Sequence, residues 1–311
     1  MKKRTKKRLR LIVGFLIILF GLVALNYPYV SGLLNDVFSY KEIQGYVTEV
    51  KEKDTSEVDA LLARANEYNK ALAGQGDIEQ FSDFELLQDG TLLGSVEIPT
   101  INVNLVVRFS TSNDVLNKGL GLVENTSLPV GGPSTHAVIS GHSGMASMKV
   151  LTNLTSVKEG DIFFVRSFAD IAHERDGLAY QVDQILVVLP WENEELAIVP
   201  GEDYVTLLTC TPYGVNSHRL LVRGKRIEYD FQHPAPEVVE AQEERLSDVE
   251  LIRRIFFYVS IGILAIMLVV LIVEFVKKPK KKAPKKTLVS SANEEKADNG
   301  GMQSEEEEKL P

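Results

Sequence analysis

The chain has 311 residues, 44% of them hydrophobic and 25% charged, with a formal net charge of −9 and a single cysteine. That length exceeds a stapled mini-protein and holds one or two ordinary domains, and the composition excludes a wholly disordered chain. One cysteine excludes an internal disulfide framework and any cysteine-rich zinc or iron–sulfur site, while the acidic balance excludes a general nucleic-acid binder, whose footprint is basic.

The charge is unevenly placed. Seven of the first ten residues are basic, and residues 277–286 hold seven lysines. Between Asn26 and Arg254, 18 basic residues stand against 35 acidic ones, a formal charge of −17. Each basic cluster abuts an apolar run: Leu11–Leu25, fifteen residues without a charge, and Ile255–Val273, nineteen. The second is long enough to cross a bilayer core as a helix, with Phe256, Phe257 and Tyr258 at one end. The first has the length of a signal-peptide core. However, Val23-Ala24-Leu25 puts Leu25 where a cleavage site needs a small residue, so it reads as an uncleaved anchor extended by Asn26–Tyr29 into the interface. Positive flanks stay cytoplasmic, which predicts both termini inside, residues 27–253 outside and contact with membrane lipid through two helices. A lone thiol suits an oxidising outer compartment, since it has no partner for a disulfide.

Leu33–Lys53 has a loose amphipathic spacing interrupted by Gly45. Ser56–Ala73 is cleaner: Ser56 and Asp59 form a capping box, Val58, Leu61, Leu62, Ala65, Tyr68 and Leu72 make the stripe, and Gly74 stops it. Residues 74–90 read as a polar loop containing Phe81 and Phe84. Strand signals follow at Gly94–Ile98, Asn102–Phe109, His136–Ser140, Asp161–Arg166, Ala179–Leu189, Tyr204–Cys210 and Arg219–Ile227, separated by Pro- and Gly-rich turns. Two short helices, Ser112–Lys118 and Ala146–Leu154, interrupt them. Seven or eight strands in this stretch predict a closed barrel. His233–Asp248, rich in Pro and Glu, reads as a stalk, and the low-complexity tail from Ala283 as disorder.

The segment richest in chemistry is Thr206–Gly224. A strand carries Cys210 at its C-terminal edge, a turn-like stretch follows, and Arg219 opens the next strand. Paired strands would bring thiol and guanidinium to one mouth of the barrel, where a positive charge favours the thiolate or holds an oxyanion. A lone cysteine is more often a small buried hydrophobe, but a strand edge beside Pro, Gly and Asn is not where a core cysteine usually sits. Arg223 shares a face with Arg219 on an alternating strand, so spacing alone leaves both open. A proton carrier must come from His136, His142, His173, His218 or His233. His142, in Ser140-Gly141-His142-Ser143-Gly144 just past a strand, is best placed to face a cleft. His173 and His233 read as solvated, and His136 as packed or paired with backbone.

Thr206-Leu207-Leu208-Thr209-Cys210, an arginine nine residues on and a histidine in a Gly-His-x-Gly turn resemble the sortases, membrane-anchored cysteine transpeptidases of Gram-positive bacteria. The likeness runs from about Gly94 to Arg226. In Thr126–Gly132, Thr135–His142 and Thr209–Gly224 it is closer to class C, the pilin-polymerising enzymes. It implies an eight-stranded sortase-type β-barrel with N-terminal helices and a membrane helix at each end. The parts are a basic flank and anchor (1–26), external helices and a lid loop (27–92), the barrel (93–230), a stalk (231–254), a second membrane helix (255–276) and a cytoplasmic tail (277–311). It implies Cys210 as nucleophile, His142 as general acid/base, Arg219 as oxyanion or substrate-positioning residue, and Leu208 and Thr209 at the substrate. No cofactor or metal is implied. The implied partners are pilins or surface proteins bearing a Leu-Pro-x-Thr-Gly-like sorting signal, and an amine acceptor, a pilin lysine or a cell-wall precursor. A catalytically silent assembly partner has no reason to keep all three side chains.

The family's class C members carry an Asp-Pro lid followed by an aromatic residue. Residues 74–90 contain no proline, and Asp77-Ile78 and Asp83-Phe84 are partial echoes. Two expectations follow for this segment: Phe81 or Phe84, beside Asp83, plugs the site, or both rings are anchors on the barrel.

Overall fold

The computed structural model describes residues 2–144, 150–232 and 236–276. Its centre is a closed barrel of eight strands: β1 Leu92–Ile98, β2 Val103–Phe109, β3 Leu120–Leu122, β4 Thr135–Ser140, β5 Ile162–Ser167, β6 Leu178–Val188, β7 Asp203–Thr211 and β8 His218–Ile227. They are ordered β1-β2-β3-β4-β7-β8-β6-β5 around the ring. The seven strands read from the sequence are present, each within two residues at either end. The eighth, β3, has only three residues with Gly121 at its centre, too short to show alternation. Its neighbours define it, for it runs parallel to β2 and antiparallel to β4.

Side-chain alternation fills the interior with Ala137 and Ile139 of β4, Val205 and Leu207 of β7, and Leu220 and Val222 of β8. Tyr180 stacks on Phe163 with ring centroids 5.7 Å apart. Position 224 is glycine because a Cβ there would come within 2.5 Å of the Phe163 ring.

Five α-helices accompany the barrel among the described residues. The first, α1 (Lys2–Glu52), is one continuous helix rather than an anchor and a separate segment. It runs through Pro28, which removes its own N–H bond without ending the helix. Helix α2 (Thr55–Lys70) begins before the expected Ser56/Asp59 box: Asp54 is the cap, its carboxylate accepting from the Ser56 amide at 2.9 Å. Ser112 caps the short α3 (Asn113–Leu116). Helix α4 (Phe168–Ala172) was not legible as a helix because five residues cannot show a stripe; a reciprocal Ser167/Asp170 box starts it. Of the expected helix Ala146–Leu154, residues 145–149 lie outside the described residues. Residues 150–153 are bend and turn, and Leu154–Ser156 is one 3-10 turn.

Helix α5 (Pro236–Val276) makes most of the expected stalk helical and continues into the second apolar run. The tail 277–311 and His233 lie outside the described residues. Two helical stretches, Thr5–Tyr27 and Ile255–Val276, are long and apolar enough to cross a membrane. The helices meet at one end, where the Lys7 ammonium lies 2.7 Å from Glu274 and Arg8 donates to the Phe275 carbonyl at 3.1 Å.

Candidate active site

Because Val205 and Leu207 face inward, alternation turns Thr209 inward as well and puts Leu208 and Cys210 on the outer face, where Cys210 is half-buried. Strand β4 runs parallel to β7 with Ser140 opposite Leu208, so two residues later His142 comes level with Cys210. Three hydrogen bonds extend that register past the strand end. The Gly141 amide donates to the Leu208 carbonyl at 3.0 Å, the Thr209 hydroxyl to the Gly141 carbonyl at 2.7 Å, and the Ser143 hydroxyl to the Cys210 carbonyl at 2.6 Å. The Leu151 amide holds the His142 carbonyl from the other side at 3.0 Å.

Glycine is required on both flanks of the histidine. A Cβ at Gly141 would lie 2.6 Å from Val150 and 2.8 Å from Leu120. Gly144 has φ +81° and sits under the Tyr213 ring, which a Cβ would approach to 2.9 Å. The histidine turn is therefore tied to β7 and roofed by the β7–β8 loop.

On the other side of Cys210, β8 is antiparallel and places Arg219 directly opposite it. Opposed residues on one face have Cβ atoms about 4.5–5.5 Å apart. Cys210 is thus flanked by His142 and Arg219, on three neighbouring elements at one end of the barrel. The two arginines of β8 differ in their partners. Arg223, opposite Thr206, donates twice to Asp183 at 3.0 and 2.9 Å and lies 4.3 Å from the Tyr204 ring centroid. The hydrogen bonds to Asp183 raise its pKa further above the arginine range. Arg219 instead donates to the carbonyls of Asn216 and His218 at 3.2 and 3.0 Å, which leaves its charge uncompensated by those partners. A thiol, an imidazole and a guanidinium with no carboxylate partner among the described residues lie together here, side-chain types suited to attack on a carbonyl carbon. Among the described residues no group of three or more His, Cys, Asp or Glu side chains is disposed to hold a metal ion.

Known proteins resemble this chain in sequence and fold. The family model described as Sortase domain matches residues 96–227. The chain is similar to a Clostridium perfringens sortase C solved with the C-terminal cell wall sorting motif: 43% identical, covering 61% of this chain and 99% of that one, with a TM-score of 0.56. Sortase C of Streptococcus pneumoniae is 40% identical, over 63% of this chain and 99% of that one, with a TM-score of 0.52. Sortase A of Bacillus anthracis is 25% identical over 221 residues, 70% of this chain and 95% of that protein.

The chain belongs to the sortase family, in its class C. Its activity is that of a sortase transpeptidase.

In this sortase the two residues expected at the substrate separate. Leu208 shares the outer face with Cys210 and is half-buried. Thr209 is corrected: it faces the interior, is 2% exposed, and spends its hydroxyl on Gly141. It ties the histidine turn to β7 instead of meeting substrate, and strand alternation is the signal that distinguishes the two.

The loop 76–91 turns back along α2. The Phe81 ring meets Tyr68 edge-on at 5.5 Å, and the fully buried Phe84 ring lies under Arg64 at 4.7 Å. Both rings are anchors in the core, with α2 as their principal partner, so the plug expectation is corrected for Phe81 and Phe84. Asp83, between them, is exposed. The reason is local: without an Asp-Pro turn to carry it across the cleft, the segment forms two 3-10 turns, Glu79–Phe81 and Glu85–Leu87, and packs its rings inward.

Among the described residues the other three histidines have structural partners. His173 pairs with Asp59 at 2.8 Å and His218 with the Ser217 hydroxyl at 2.8 Å. His136 is buried, its Nδ1 donating to the Ala197 carbonyl at 2.9 Å and its Nε2 2.7 Å from the Thr206 hydroxyl. Burial lowers its pKa, opposed by the Ala197 bond and aided by the charge of Arg223, while Asp183 acts the other way. The folded protein therefore holds His136 neutral where the unfolded chain takes up a proton. Its stability contribution is complete above the ordinary histidine value near 6.5 and is lost as pH falls below it. Calorimetric unfolding between pH 8 and 5.5 is expected to show this decline, and to show less of it in His136→Gln.

Proposed function

We propose that this sortase cleaves a Leu-Pro-x-Thr-Gly-like sorting signal after its threonine, holds the acyl fragment as a thioester on Cys210, and transfers it to a primary amine, a pilin lysine. The juxtaposition of His142, Cys210 and Arg219 carries this reading. The Cys210 thiolate attacks the Thr carbonyl carbon, and Arg219 faces the oxygen as it gains charge. When the C–N bond breaks, His142 supplies the proton that the departing amine needs. The incoming amine then attacks the thioester, His142 takes its proton, and the thiolate is released as the new amide forms. Two helices anchor the enzyme in the cell membrane, with the basic flanks inside and the barrel outside.

The likeness to sortase C structures favours a pilin lysine as acceptor. The weaker likeness to a sortase A supports a cell-wall amine as a second reading. Full-length protein incubated with sorting peptides and either a lysine-bearing pilin peptide or a cell-wall amine should give the joined product, preferentially with lysine. No product with any peptide would remove the proposal, and preference for the cell-wall amine would favour the second reading.

Arg219 offers a sharper check. Arg219→Ala is expected to lower kcat by about 10²–10³-fold, the usual effect of removing an oxyanion donor. Arg219→Lys should restore little, because a flexible point charge does not reproduce the planar fork. Arg223→Ala, which removes the Asp183 pair, should leave the chemical step far less affected.

A further inference from the structure

We infer that the catalytic end of the barrel faces the lipid surface across a short gap, with the opposite end turned away from it. This deepens the proposed function and rests on the membrane anchoring stated there. Strand polarity is the first observation. Around the ring β1, β4, β6 and β7 run one way and β2, β3, β5 and β8 the other. The Pro99–Ile101 turn after β1, His142 after β4, Trp191 after β6 and Cys210 near the end of β7 therefore share one end.

Helix α1 reaches that end first. Beyond its apolar span, Ser39, Tyr40 and Ile43 line a cleft with Asn102, Val103, Asn104 and Leu105 at the start of β2. Higher up, Glu42 pairs with Arg108, and the Tyr46 hydroxyl donates to the Leu92 carbonyl at 3.2 Å. Lys51 then pairs with Glu174, in the α4–β6 connection at the far end, at 2.6 Å. The helix thus climbs from the catalytic end to the opposite one. Helix α5 agrees independently: it follows β8, which finishes at the far end, and lies against the Pro99–Ile101 turn of the catalytic end.

The stand-off is short. Tyr27 to Tyr40 is thirteen residues, which at about 1.5 Å each is roughly 20 Å along the helix. About six extended residues cover that distance. The surface around the site is also apolar and open: Val187 near the end of β6 is 60% exposed, and in the loops Trp191 is 73%, Tyr213 68% and Val215 69% exposed. Glu192, Glu194 and Glu195 beside Trp191 oppose insertion among anionic headgroups, so these loops face the bilayer across the gap.

Trp191 is the only tryptophan in the chain and can report its own height. Full-length protein is placed in phosphatidylcholine vesicles containing a dansyl-headgroup lipid, and energy transfer from Trp191 is compared with transfer from a tryptophan at the far end. Two such reporters, W191F/D176W and W191F/D114W, are at exposed positions, and either that unfolds cooperatively serves. Stronger transfer from Trp191 is expected; equal or weaker transfer overturns the inference. Failure of the protein to float with vesicles also overturns it, whereas transpeptidation of soluble peptides tests the proposed chemistry separately.

Discussion

Cys210→Ala in the full-length sortase is expected to lower transpeptidation by on the order of 10³-fold or more while leaving thermal unfolding nearly unchanged. The chemistry of the substrate sets the size of this effect. A peptide amide resists attack by water, and Ala supplies no nucleophile in its place. What survives is the contribution of binding and of the Arg219 charge. The structural cost is small because Cys210 is half-buried on the outer face, outside the packed interior of Val205 and Leu207. A large loss of both activity and stability would instead place the thiol among core residues.

His142→Ala is expected to cost about 10²–10⁴-fold, the range of a positioned general acid/base. The loss should depend on the leaving group. An amide nitrogen must gain a proton as its bond breaks, whereas the oxygen of an activated ester departs without one. Acylation of His142→Ala by an activated ester carrying the same acyl sequence should therefore be slowed much less than acylation by the peptide. Equal losses with both substrates would mean that His142 positions groups instead of carrying a proton. The fixed turn makes this comparison clean: Gly141, Ser143 and Leu151 are held through backbone or side-chain bonds that the imidazole does not make.

The site was legible in the sequence to the extent that its parts are local. Cys210 and Arg219 bracket one hairpin, so a strand, a turn and a strand predict that they meet. His142 lies 68 residues upstream, and its place beside Cys210 depends on parallel pairing of β4 with β7, for which no short-range signal exists. Glycines on either side of His142 marked it, and the family resemblance completed the assignment. The inward turn of Thr209 was missed because both faces of β7 carry apolar or half-polar residues, and the phase becomes evident only when Val205 and Leu207 are seen in the core. Strand β3 escaped because three residues carry no period. The continuity of α1 escaped because Asn26–Tyr29 read as the end of the anchor and Gly45 as an interruption, yet a long helix runs through both when its upper part docks through Glu42, Tyr46 and Lys51. The rings of Phe81 and Phe84 were visible as apolar residues in a polar loop, but their partners on α2 follow from the loop doubling back, a tertiary event.

The central claim is that a thioester forms on Cys210, and it can be weighed directly. Full-length protein mixed with a Leu-Pro-x-Thr-Gly-containing peptide, without an amine acceptor, is quenched in acid and mapped by mass spectrometry after proteolysis. The fragment containing Cys210 is predicted to gain the mass of the acyl portion ending in Thr, and to lose it on treatment with hydroxylamine. An acyl mass on any other residue, or one that persists in Cys210→Ala, would contradict the account.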